Sequence, residues 1–399
     1  MVEHNKKIAI VVQRCGLNIL AGAELYALKL AIALAEKNAN VEIHTSMSDD
    51  YINWNNHLNQ EEWISTSGKP LLIKRYPVEH TRKRILFGIV RRVNFKLNKY
   101  LNKFYLLFSS LLDFIFLKSQ GPWCPSLWKY LKENENEYSL IIVKSYLYSP
   151  NYYSLLKTSS SIKKLFIVTA HDEPEFKLNF VNKSLEKSDI LGFVSEAEKK
   201  LCHKIWSNSN KKPSLQLPPG FDTKEVSEIQ ISDEINEIIN KKFFIYIGRI
   251  DKNKNIEFIF NHAPENCFIV FAGDLQIEFP KDPRFKYIGR ITEFEKKFLL
   301  QKALALVIAS RLEAYSIITA ESIYNNCLVL ALKGCEPIDE LIKNYGGLSL
   351  SALEFTQKLI EIWENKFDKN NIQIKSNKIK EEKTWESNAI KILNIFKDK

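Results

Sequence analysis

The chain has 399 residues, of which 45% are hydrophobic and 26% are charged, and its formal net charge is +10. This length exceeds what one hydrophobic core usually supports, so the sequence predicts two globular domains and excludes a disordered or low-complexity chain. The positive charge is local, because residues 74–118 hold eleven lysines and arginines against two acids, a net charge of +9. We therefore expect one basic surface and no nucleic-acid partner.

The cysteines and the N-terminus favour a cytoplasmic protein. None of the six cysteines forms a C-x-x-C pair, which predicts reduced thiols in the core rather than disulfides or metal ligands. The N-terminus passes from two lysines directly into a five-residue apolar strand, and this stretch is too short for a signal peptide. The cysteines are Cys15, Cys124, Cys202, Cys267, Cys327 and Cys335.

The first elements in the chain form a β-α-β unit. The pattern predicts strand Lys7–Val12, helix Ala23–Lys37 and strand Val41–Thr45. Gly16 and Gly22 are six residues apart, so the turn between them is no dinucleotide-binding fingerprint. A glycine at the start of the helix still lets a phosphate or sugar approach the backbone closely, and a plain tight turn is the alternative.

The segment Ile85–Leu117 is the most unusual part of the N-terminal half. On a helix, four basic residues form a row beside an apolar row, and an apolar run of fourteen residues follows. That run contains Asp113 and is too short to cross a bilayer, so the pattern predicts a helix in an anionic membrane interface. The alternative is a helical hairpin packed on the domain with solvated lysines. The basic row is Arg92, Lys96, Lys99 and Lys103, and the apolar row is Val90, Val93, Leu97, Tyr100 and Phe104.

A histidine follows the second of two predicted buried strands, Tyr138–Val143 and Lys164–Thr169. His171 stands just beyond the strand, and Asp172 and Glu173 come directly after it. A neutral imidazole in this place can hydrogen-bond a sugar hydroxyl, and a protonated one can stabilise a leaving phosphate. A histidine with a purely structural role is the alternative.

Two cations follow the first predicted strand of the C-terminal half, Phe243–Gly248. Arg249 and Lys254 are five residues apart and precede a predicted helix, Glu257–His262. An arginine fork and a lysine point charge at this spacing can clamp a diphosphate, although basic loop residues are also common without any ligand. The prolines and glycine of Pro218–Gly220 precede this half, so we place the domain boundary there.

Two glutamates lie in a strand-helix-strand unit further along the chain. Glu313 follows strand Leu304–Ala309, and Glu321 lies eight residues later, about two turns along helix Tyr315–Asn325. Carboxylates at the end of a parallel strand can accept hydrogen bonds from vicinal hydroxyls, and free N–H groups at the helix start can bind phosphate. The alternative is that Glu313 caps the helix and Glu321 is a solvated surface residue.

These motifs together resemble one family of enzymes. Glu313 and Glu321 with seven residues between them, followed by Glu336 and Glu340, resemble the signature of the retaining glycosyltransferases of family 4, which have the GT-B fold. The motifs occur in the family's order over nearly the whole chain, except for residues 82–117. Other segments that resemble the family include Gly22–Glu24, His171–Asp172, Pro218–Asp222, Arg249–Lys254 and Arg290–Glu293.

The resemblance implies an α/β protein of GT-B type, with two Rossmann-like domains that face a central cleft. Residues 1–218 would form the N-terminal acceptor domain, with residues 82–117 as a helical insertion. Residues 219–384 would form the C-terminal donor domain. Residues 385–399 would form a helix that returns to the N-terminal domain.

The resemblance also implies a role for each motif. Glu313 and His171 are the implied catalytic residues, which contact the transferred sugar from two sides of the cleft. Arg249 and Lys254 would neutralise the diphosphate, and Glu321 would bind the ribose hydroxyls. No metal or cofactor is expected. The remaining implied donor-binding residues are Gly22, Ile291, Ser316 and Ile317.

The expected function is sugar transfer from a nucleotide-sugar to a glycan or lipid-linked acceptor, with retention, in cell-envelope polysaccharide or glycoconjugate synthesis. The protein would be cytoplasmic and peripheral at the inner face of the plasma membrane, held by residues 82–117. Two alternatives are a GT-B nucleotide-sugar epimerase and a non-catalytic, membrane-associated scaffold. The non-catalytic scaffold is supported by four departures from the family pattern, at positions where the family usually has glycine: Ala21, Asn255, Ser316 and Asn326.

Overall fold

The structure is a computed structural model that describes residues 6–19, 22–221, 231–368 and 372–395, and for residues 102–104 only the backbone. Ala21, Asp222 and the end of the predicted last helix lie outside the described residues. The chain forms two compact units, residues 1–220 with 385–399 and residues 221–384. Both units are layered α/β structures.

The described residues contain fourteen strands. They are β1 (Lys7–Arg14), β2 (Val41–Ser46), β3 (Glu61–Ile64), β4 (Leu71–Tyr76), β5 (Tyr138–Lys144), β6 (Lys163–Ile167), β7 (Ile190–Phe193), β8 (Ser214–Gln216), β9 (Phe244–Ile247), β10 (Ile269–Ala272), β11 (Phe285–Tyr287), β12 (Leu306–Ile308), β13 (Val329–Leu332) and β14 (Leu348–Leu350).

The described residues also contain fifteen α-helices. They are α1 (Gly22–Glu36), α2 (Arg84–Tyr100), α3 (Asn102–Gln120), α4 (Pro125–Glu133), α5 (Ser149–Lys157), α6 (Asn179–Lys187), α7 (Glu196–Ile205), α8 (Asp233–Ile239), α9 (Ile256–His262), α10 (Glu293–Lys302), α11 (Ile317–Tyr324), α12 (Glu336–Tyr345), α13 (Ala352–Trp363), α14 (Ser376–Glu382) and α15 (Trp385–Asn394). Short 3-10 helices span Glu135–Glu137, Pro174–Lys177 and Ser207–Lys211.

The first unit is built on an eight-stranded sheet of order β3-β4-β2-β1-β5-β6-β7-β8. Every strand pair is parallel except the edge pair β3–β4. β1 and β5 are nearly continuous apolar runs that are buried on both faces, as central strands of a parallel sheet usually are. The connections leave β1 and β5 in opposite directions, so the loops after these strands lie at a topological switch point.

The second unit is built on a six-stranded sheet of order β11-β10-β9-β12-β13-β14, and every pair is parallel. Its strands are short and almost entirely buried, because two separate apolar clusters cover the two faces of the sheet. The strand order reverses between β9 and β12. The loops after these two strands therefore meet at the ligand-binding edge that open α/β sheets share.

The predicted helical insertion is a hairpin of two helices, α2 and α3. α2 ends at Tyr100, and Leu101 has non-helical dihedral angles, φ −131° and ψ 49°. The basic row predicted from Arg92 to Lys103 on one continuous helix is therefore wrong, because Lys103 belongs to the second helix. The side chains of Lys103 and Phe104 lie outside the described residues.

The hairpin is attached to the rest of the first unit through polar contacts on its inner face. Asp113, which interrupts the apolar run in the sequence, is buried, and its Oδ2 lies 3.2 Å from Lys183 Nζ on α6. Tyr105 donates a hydrogen bond to Asp113 Oδ1 at 3.3 Å. Arg91 pairs with the buried Glu175, and Asn98 Nδ2 donates to the Lys177 carbonyl at 2.9 Å. The one acid of the apolar run thus points inward and leaves the outer face of α3 without negative charge.

A buried carboxylate joins three adjacent strands of the eight-stranded sheet, β2, β1 and β5. Glu42 on β2 lies 2.7 Å from Lys7 Nζ on β1 and accepts a hydrogen bond from Tyr138 on β5 at 2.7 Å. His44 Nε2 is 3.4 Å from the same carboxylate. Burial opposes the charge, but these partners outweigh it and lower the pKa of Glu42 from 4.5 to about 2.

We predict that Glu42→Gln lowers the free energy of unfolding by about 2 kcal/mol at pH 7. Because the folded pKa lies below the ordinary value of 4.5, this stabilisation is present above pH 4.5 and is lost as the pH falls towards 2. Urea unfolding at pH 7 and pH 3.5 measures the difference between wild type and variant. Glu61→Gln is the control, since Glu61 is exposed and 4.0 Å from Lys74. A difference for Glu42→Gln that is equal at both pH values would contradict the prediction.

Candidate active site

The loop after β9 carries the first two predicted donor-binding residues. Arg249 follows Gly248, and the loop passes close to the end of β10. A Cβ atom at Gly273 would lie 2.0 Å from the Gly248 carbonyl oxygen, and Gly273 has φ +128°. Only glycine fits this approach, which holds the ends of β9 and β10 together beneath Arg249.

Three predicted residues meet at the switch point of the second sheet. Lys254 Nζ donates a hydrogen bond to Glu313 Oε1 at 2.6 Å, and so links the loop after β9 with the loop after β12. Asp251 joins the two cations, because its Oδ2 lies 2.7 Å from Arg249 Nε and its Oδ1 accepts from the Lys254 backbone N–H at 2.9 Å. Arg249, Lys254 and Glu313 therefore form one cluster with Asp251, which sequence reasoning did not single out.

The second predicted glutamate has a different lysine partner. Glu321 Oε1 lies 2.7 Å from Lys296 Nζ on α10, and the same ammonium is 2.8 Å from Glu293 Oε2. Burial opposes the charge of Lys296, but the two carboxylates outweigh burial and raise its pKa. Lys296 was not predicted. The capping box of Thr292 and Glu295 marks the start of α10 in the sequence, but it gives no indication of a partner on another helix.

The start of α11 lies between the two glutamates. Ser316 is the N-cap residue, but its hydroxyl bonds to the Thr319 hydroxyl at 2.8 Å and does not cap the helix. The N–H groups of the first turn, from Ile317 onward, have no acceptor within the helix and carry the positive end of its dipole. This helix start can therefore receive an anionic or strongly polar ligand group. Ile291, on the loop after β11, packs against the apolar cluster that also includes Ile288.

Three of the four departures from the expected glycines are compatible with the backbone. Asn255 and Asn326 have φ +55° and +59°, the left-handed conformation that asparagine tolerates best after glycine. Ser316 has φ −94°, which any residue can adopt. Ala21 lies outside the described residues. The asparagines thus keep the backbone that glycine would give.

Two buried hydroxyls in the loop between β12 and α11 have no hydrogen-bond partner among the described residues. They are Ser310 Oγ and Tyr315 Oη. Burial raises the pKa of Tyr315, and the charges of Glu340 and Glu321 add to this effect. An unpaired buried hydroxyl costs free energy, and a bound ligand would offset this cost.

In the first unit, His171 lies beyond the carboxyl end of β6. Its Nδ1 is 3.9 Å from Glu173 Oε1, and its side chain is 32% exposed. The backbone before it is held by a buried carboxylate, because Glu198 Oε1 accepts from the Ala170 N–H at 2.8 Å. Thr169 has φ +59°, an unusual conformation for a β-branched residue. The histidine thus stands on a constrained turn.

The same turn is close to a second buried charge. Lys144, at the end of β5, is buried with its ammonium 3.8 Å from the centre of the Tyr26 ring. Burial lowers the pKa of Lys144 and raises that of Glu198, and the two charges attract each other across this site. The first unit therefore holds a buried lysine and a buried glutamate near this turn, and burial disfavours the charged form of each.

Gly22 is the first residue of α1 and is exposed. Close to it, the buried ion pair of Arg14 Nε and Glu24 Oε1 at 2.7 Å connects the end of β1 with the first turn of α1. Gly22 and His171 belong to the first unit. The other seven predicted site residues belong to the second unit.

We predict that Tyr315→Phe raises the free energy of unfolding of the ligand-free protein by about 1 kcal/mol, because it removes an unpaired buried hydroxyl. Tyr345→Phe is the matched control, since the Tyr345 hydroxyl donates to Glu382. That control should lower the free energy of unfolding by about 1 kcal/mol. Urea unfolding measures both. Equal destabilisation by the two variants would show that the Tyr315 hydroxyl has a partner.

Comparison with known proteins gives one family and many similar structures. The family described as Glycosyl transferases group 1 matches residues 228–381. No curated protein matches significantly. The six-stranded sheet and the cluster around Arg249 and Glu313 fall within the matched residues.

Similar solved structures cover nearly the whole chain. Sucrose-phosphate synthase from Thermosynechococcus elongatus has 14% identity and a TM-score of 0.68, with 98% of each chain covered. HepE of Anabaena, solved with UDP and glucose, has 11% identity and a TM-score of 0.63, with 99% of this chain and 100% of that chain covered. Trehalose 6-phosphate synthase from Burkholderia multivorans has 10% identity and a TM-score of 0.63, with 99% and 98% covered.

At these identities the structural likeness establishes the fold. The prediction of an α/β protein of GT-B type is confirmed. The chain has the GT-B fold, and its residues 228–381 match the family described as Glycosyl transferases group 1.

Proposed function

We propose that this protein is a glycosyltransferase that moves a sugar from a nucleotide-sugar donor to a glycan or lipid-linked acceptor. The observation that carries this proposal is the cluster of Arg249, Asp251, Lys254 and Glu313 at the switch point of the second sheet. The solved structures of HepE with UDP and with UDP-glucose support a nucleotide-sugar as the donor. We further propose that the product retains the anomeric configuration, as in family 4.

The donor would lie along the loops and the helix start already described. Arg249 and Lys254 supply two positive charges for the diphosphate, while the first-turn N–H groups at Ser316 and Ile317 supply donors. Glu313 accepts hydrogen bonds from the sugar hydroxyls. The remaining proposed contacts are Glu321 with the ribose, Ile291 with the base, Gly22 with the phosphates and His171 with the sugar.

Catalysis in this proposal is positioning and stabilisation of charge. The bond from the anomeric carbon to the diphosphate breaks with its electron pair on the diphosphate. The acceptor oxygen bonds to that carbon, and its proton passes to the leaving diphosphate. Arg249 and Lys254 stabilise the leaving charge, so no metal ion is required. Before the donor binds, Glu313 and Asp251 offset the charges of these cations.

The first test is thermal unfolding with UDP, GDP, ADP, dTDP and CMP and with their sugars. A ligand at one hundred times its Kd should stabilise the protein by about 2.7 kcal/mol. A shift with one nucleotide identifies the donor class and allows acceptors to be screened with that donor. Conversion of the donor without an acceptor would favour the epimerase, and no shift from a folded protein would favour the non-catalytic scaffold.

We predict that Lys254→Ala and Glu321→Ala each weaken donor binding about tenfold, because each removes a charged hydrogen bond to the donor. His171→Ala should lower kcat more than it raises the Kd of the donor. Lys252→Ala is the matched control in the same loop, since Lys252 is exposed. Calorimetric titration and initial rates with EDTA present measure these effects. Full activity of the Arg249→Ala, Lys254→Ala double variant would contradict the diphosphate clamp.

We also propose that the α2–α3 hairpin binds an anionic membrane surface, so that the protein is peripheral at the inner face of the plasma membrane and serves cell-envelope glycan synthesis. The hairpin holds twelve of the twenty large apolar side chains that are exposed in the described residues. These twelve are Ile85, Leu86, Ile89, Val93, Tyr100, Leu101, Leu106, Leu107, Phe108, Leu111, Phe114 and Ile115. Apolar exposure of this extent on a soluble surface marks an interaction site.

The exposed side chains follow helical periodicity on both helices. On α2, Ile85, Ile89, Val93 and Tyr100 lie on one exposed row, and Lys96 completes it. On α3, the exposed row contains Leu107, Leu111 and Phe114 and ends at Lys118. Apolar rows accompanied by basic residues fit a lipid surface whose headgroups are anionic.

The inner face of the same hairpin is packed on the rest of the first unit. The two interpretations of the sequence, a helix in a membrane interface and a hairpin packed on the domain, therefore describe different faces of the hairpin. Phe116 and Leu117 are buried in the main apolar cluster, and Val90 and Leu97 pack against it. The outer face of the hairpin is therefore the one that would contact a lipid surface. Among the described residues, no helix is long and apolar enough to cross a membrane.

We predict that the protein co-sediments with vesicles of phosphatidylglycerol and phosphatidylcholine at low salt. The Leu107→Glu, Leu111→Glu double variant should lose most of this binding, because it places two charges on the apolar row. Leu353→Glu is the matched control, since Leu353 is 82% exposed in the other unit. Raised salt should weaken binding, because salt screens the attraction between basic residues and the anionic surface. Each basic residue near that surface contributes about 1 kcal/mol to the free energy of binding. Absence of the wild-type protein from the vesicle pellet at low salt would contradict this proposal.

A further inference from the structure

Lys296 connects two elements of the second unit that the sequence gives no reason to pair. It lies in the first turn of α10, and its ammonium reaches Glu321 on α11 at 2.7 Å. Glu293, three residues earlier on α10, lies 2.8 Å from the same ammonium. The side chains of Lys296 and Glu321 are only 16% and 19% exposed. The lysine therefore holds the Glu321 carboxylate from the neighbouring helix.

Stability alone is a weak reason for such a pair. Removing two charges from water costs about as much free energy as their attraction returns, so apolar residues of similar size would often stabilise the two helices equally well. What the ion pair does provide is direction. A glutamate on a helix has three rotatable bonds, and an ammonium fixed on a second helix restricts where its oxygens lie. The raised pKa of Lys296 keeps this ammonium charged at neutral pH.

We propose that Lys296 is a positioning residue that fixes the Glu321 carboxylate for the ribose hydroxyls of the donor. This inference rests on the proposed function, in which Glu321 binds the ribose. An ionised carboxylate has about four lone-pair sites and accepts from two vicinal hydroxyls in a narrow range of orientations. Because the ammonium binds Oε1, it fixes one edge of the carboxylate, and the cis-diol of a ribonucleotide meets an acceptor that is already oriented.

The proposal makes ribose recognition depend on two residues from different helices. A ribonucleotide gains the full benefit of the oriented carboxylate, and a 2′-deoxynucleotide loses one of the two hydrogen bonds. Lys296 should therefore affect the ratio of the two affinities and have little effect on diphosphate binding. A lysine that only stabilised the fold would leave this ratio unchanged.

The test is calorimetric titration of the full chain with a ribonucleoside diphosphate and its 2′-deoxy analogue. The pair is chosen from UDP, GDP and ADP by the largest thermal shift. Wild type should favour the ribonucleotide by roughly tenfold, the value of one hydrogen bond to a charged group. Lys296→Met should reduce this preference to about twofold or less and leave the Kd of the deoxynucleotide nearly unchanged. Lys297→Met is the matched control, since Lys297 is the exposed neighbour in the sequence.

Two further variants cover the case in which Lys296→Met does not fold. Lys296→Arg keeps the charge but has a longer planar head, so it should shift the carboxylate and lower the ribose preference by roughly threefold. The Lys296→Met, Glu321→Gln double variant leaves no unpaired buried charge, and its preference should equal that of Glu321→Gln alone. Circular dichroism and thermal unfolding confirm that each variant is folded.

The outcomes separate this inference from the proposed function. Loss of ribose preference in both Glu321→Gln and Lys296→Met supports the inference. Loss in Glu321→Gln but not in Lys296→Met or Lys296→Arg overturns it and leaves the proposed function intact. Equal weakening of both nucleotides by Lys296→Met also overturns it, because the lysine then acts only through its charge. Wild-type protein that binds no nucleotide overturns both.

Discussion

The candidate site depends on one constraint, the reversal of strand order in a parallel sheet. In the second unit β9 lies between β10 and β12, and the connections from β9 and β12 leave in opposite directions. The loops after the two strands therefore diverge, and they leave a crevice at the carboxyl ends of the strands, where such sheets bind ligands. Lys254 and Glu313 come from these two loops and meet across the gap. The charge cluster exists because the topology brings together residues that are 59 positions apart.

Much of the α/β pattern could be predicted from the sequence, because central parallel strands are continuous apolar runs with turns after them. Strands β1, β2 and β5 were located to within two residues of their observed bounds. Strands β3, β4 and β14, which are short or charged, are among those that were not predicted. β4 contains adjacent Lys74 and Arg75, and its place in the sheet comes from pairing with β2, which a local pattern does not record.

Motifs identified the predicted site residues. They did not identify Asp251 and Lys296, the other charged residues that contact them. Arg249, Lys254 and Glu313 are recognisable because charged residues follow apolar strands, where open sheets bind ligands. Lys296 is one of many lysines in the sequence, and nothing local distinguishes it. Its importance arises only when α10 packs beside α11. Asn255 is the opposite case, because the sequence suggests a difference that the backbone does not show. Its residue type departs from the glycine of the family pattern, but its backbone has the left-handed conformation expected of glycine.

The hairpin has a consequence for how this protein behaves away from lipid. Its outer apolar rows are the part of the described surface with the least favourable hydration, and the inward orientation of Asp113 leaves no acid of α3 to interrupt them. In dilute buffer these rows have no partner except each other. Self-association then competes with membrane binding for the same face, so the apparent size of the purified protein should depend on its concentration and decrease when mild detergent covers α2 and α3.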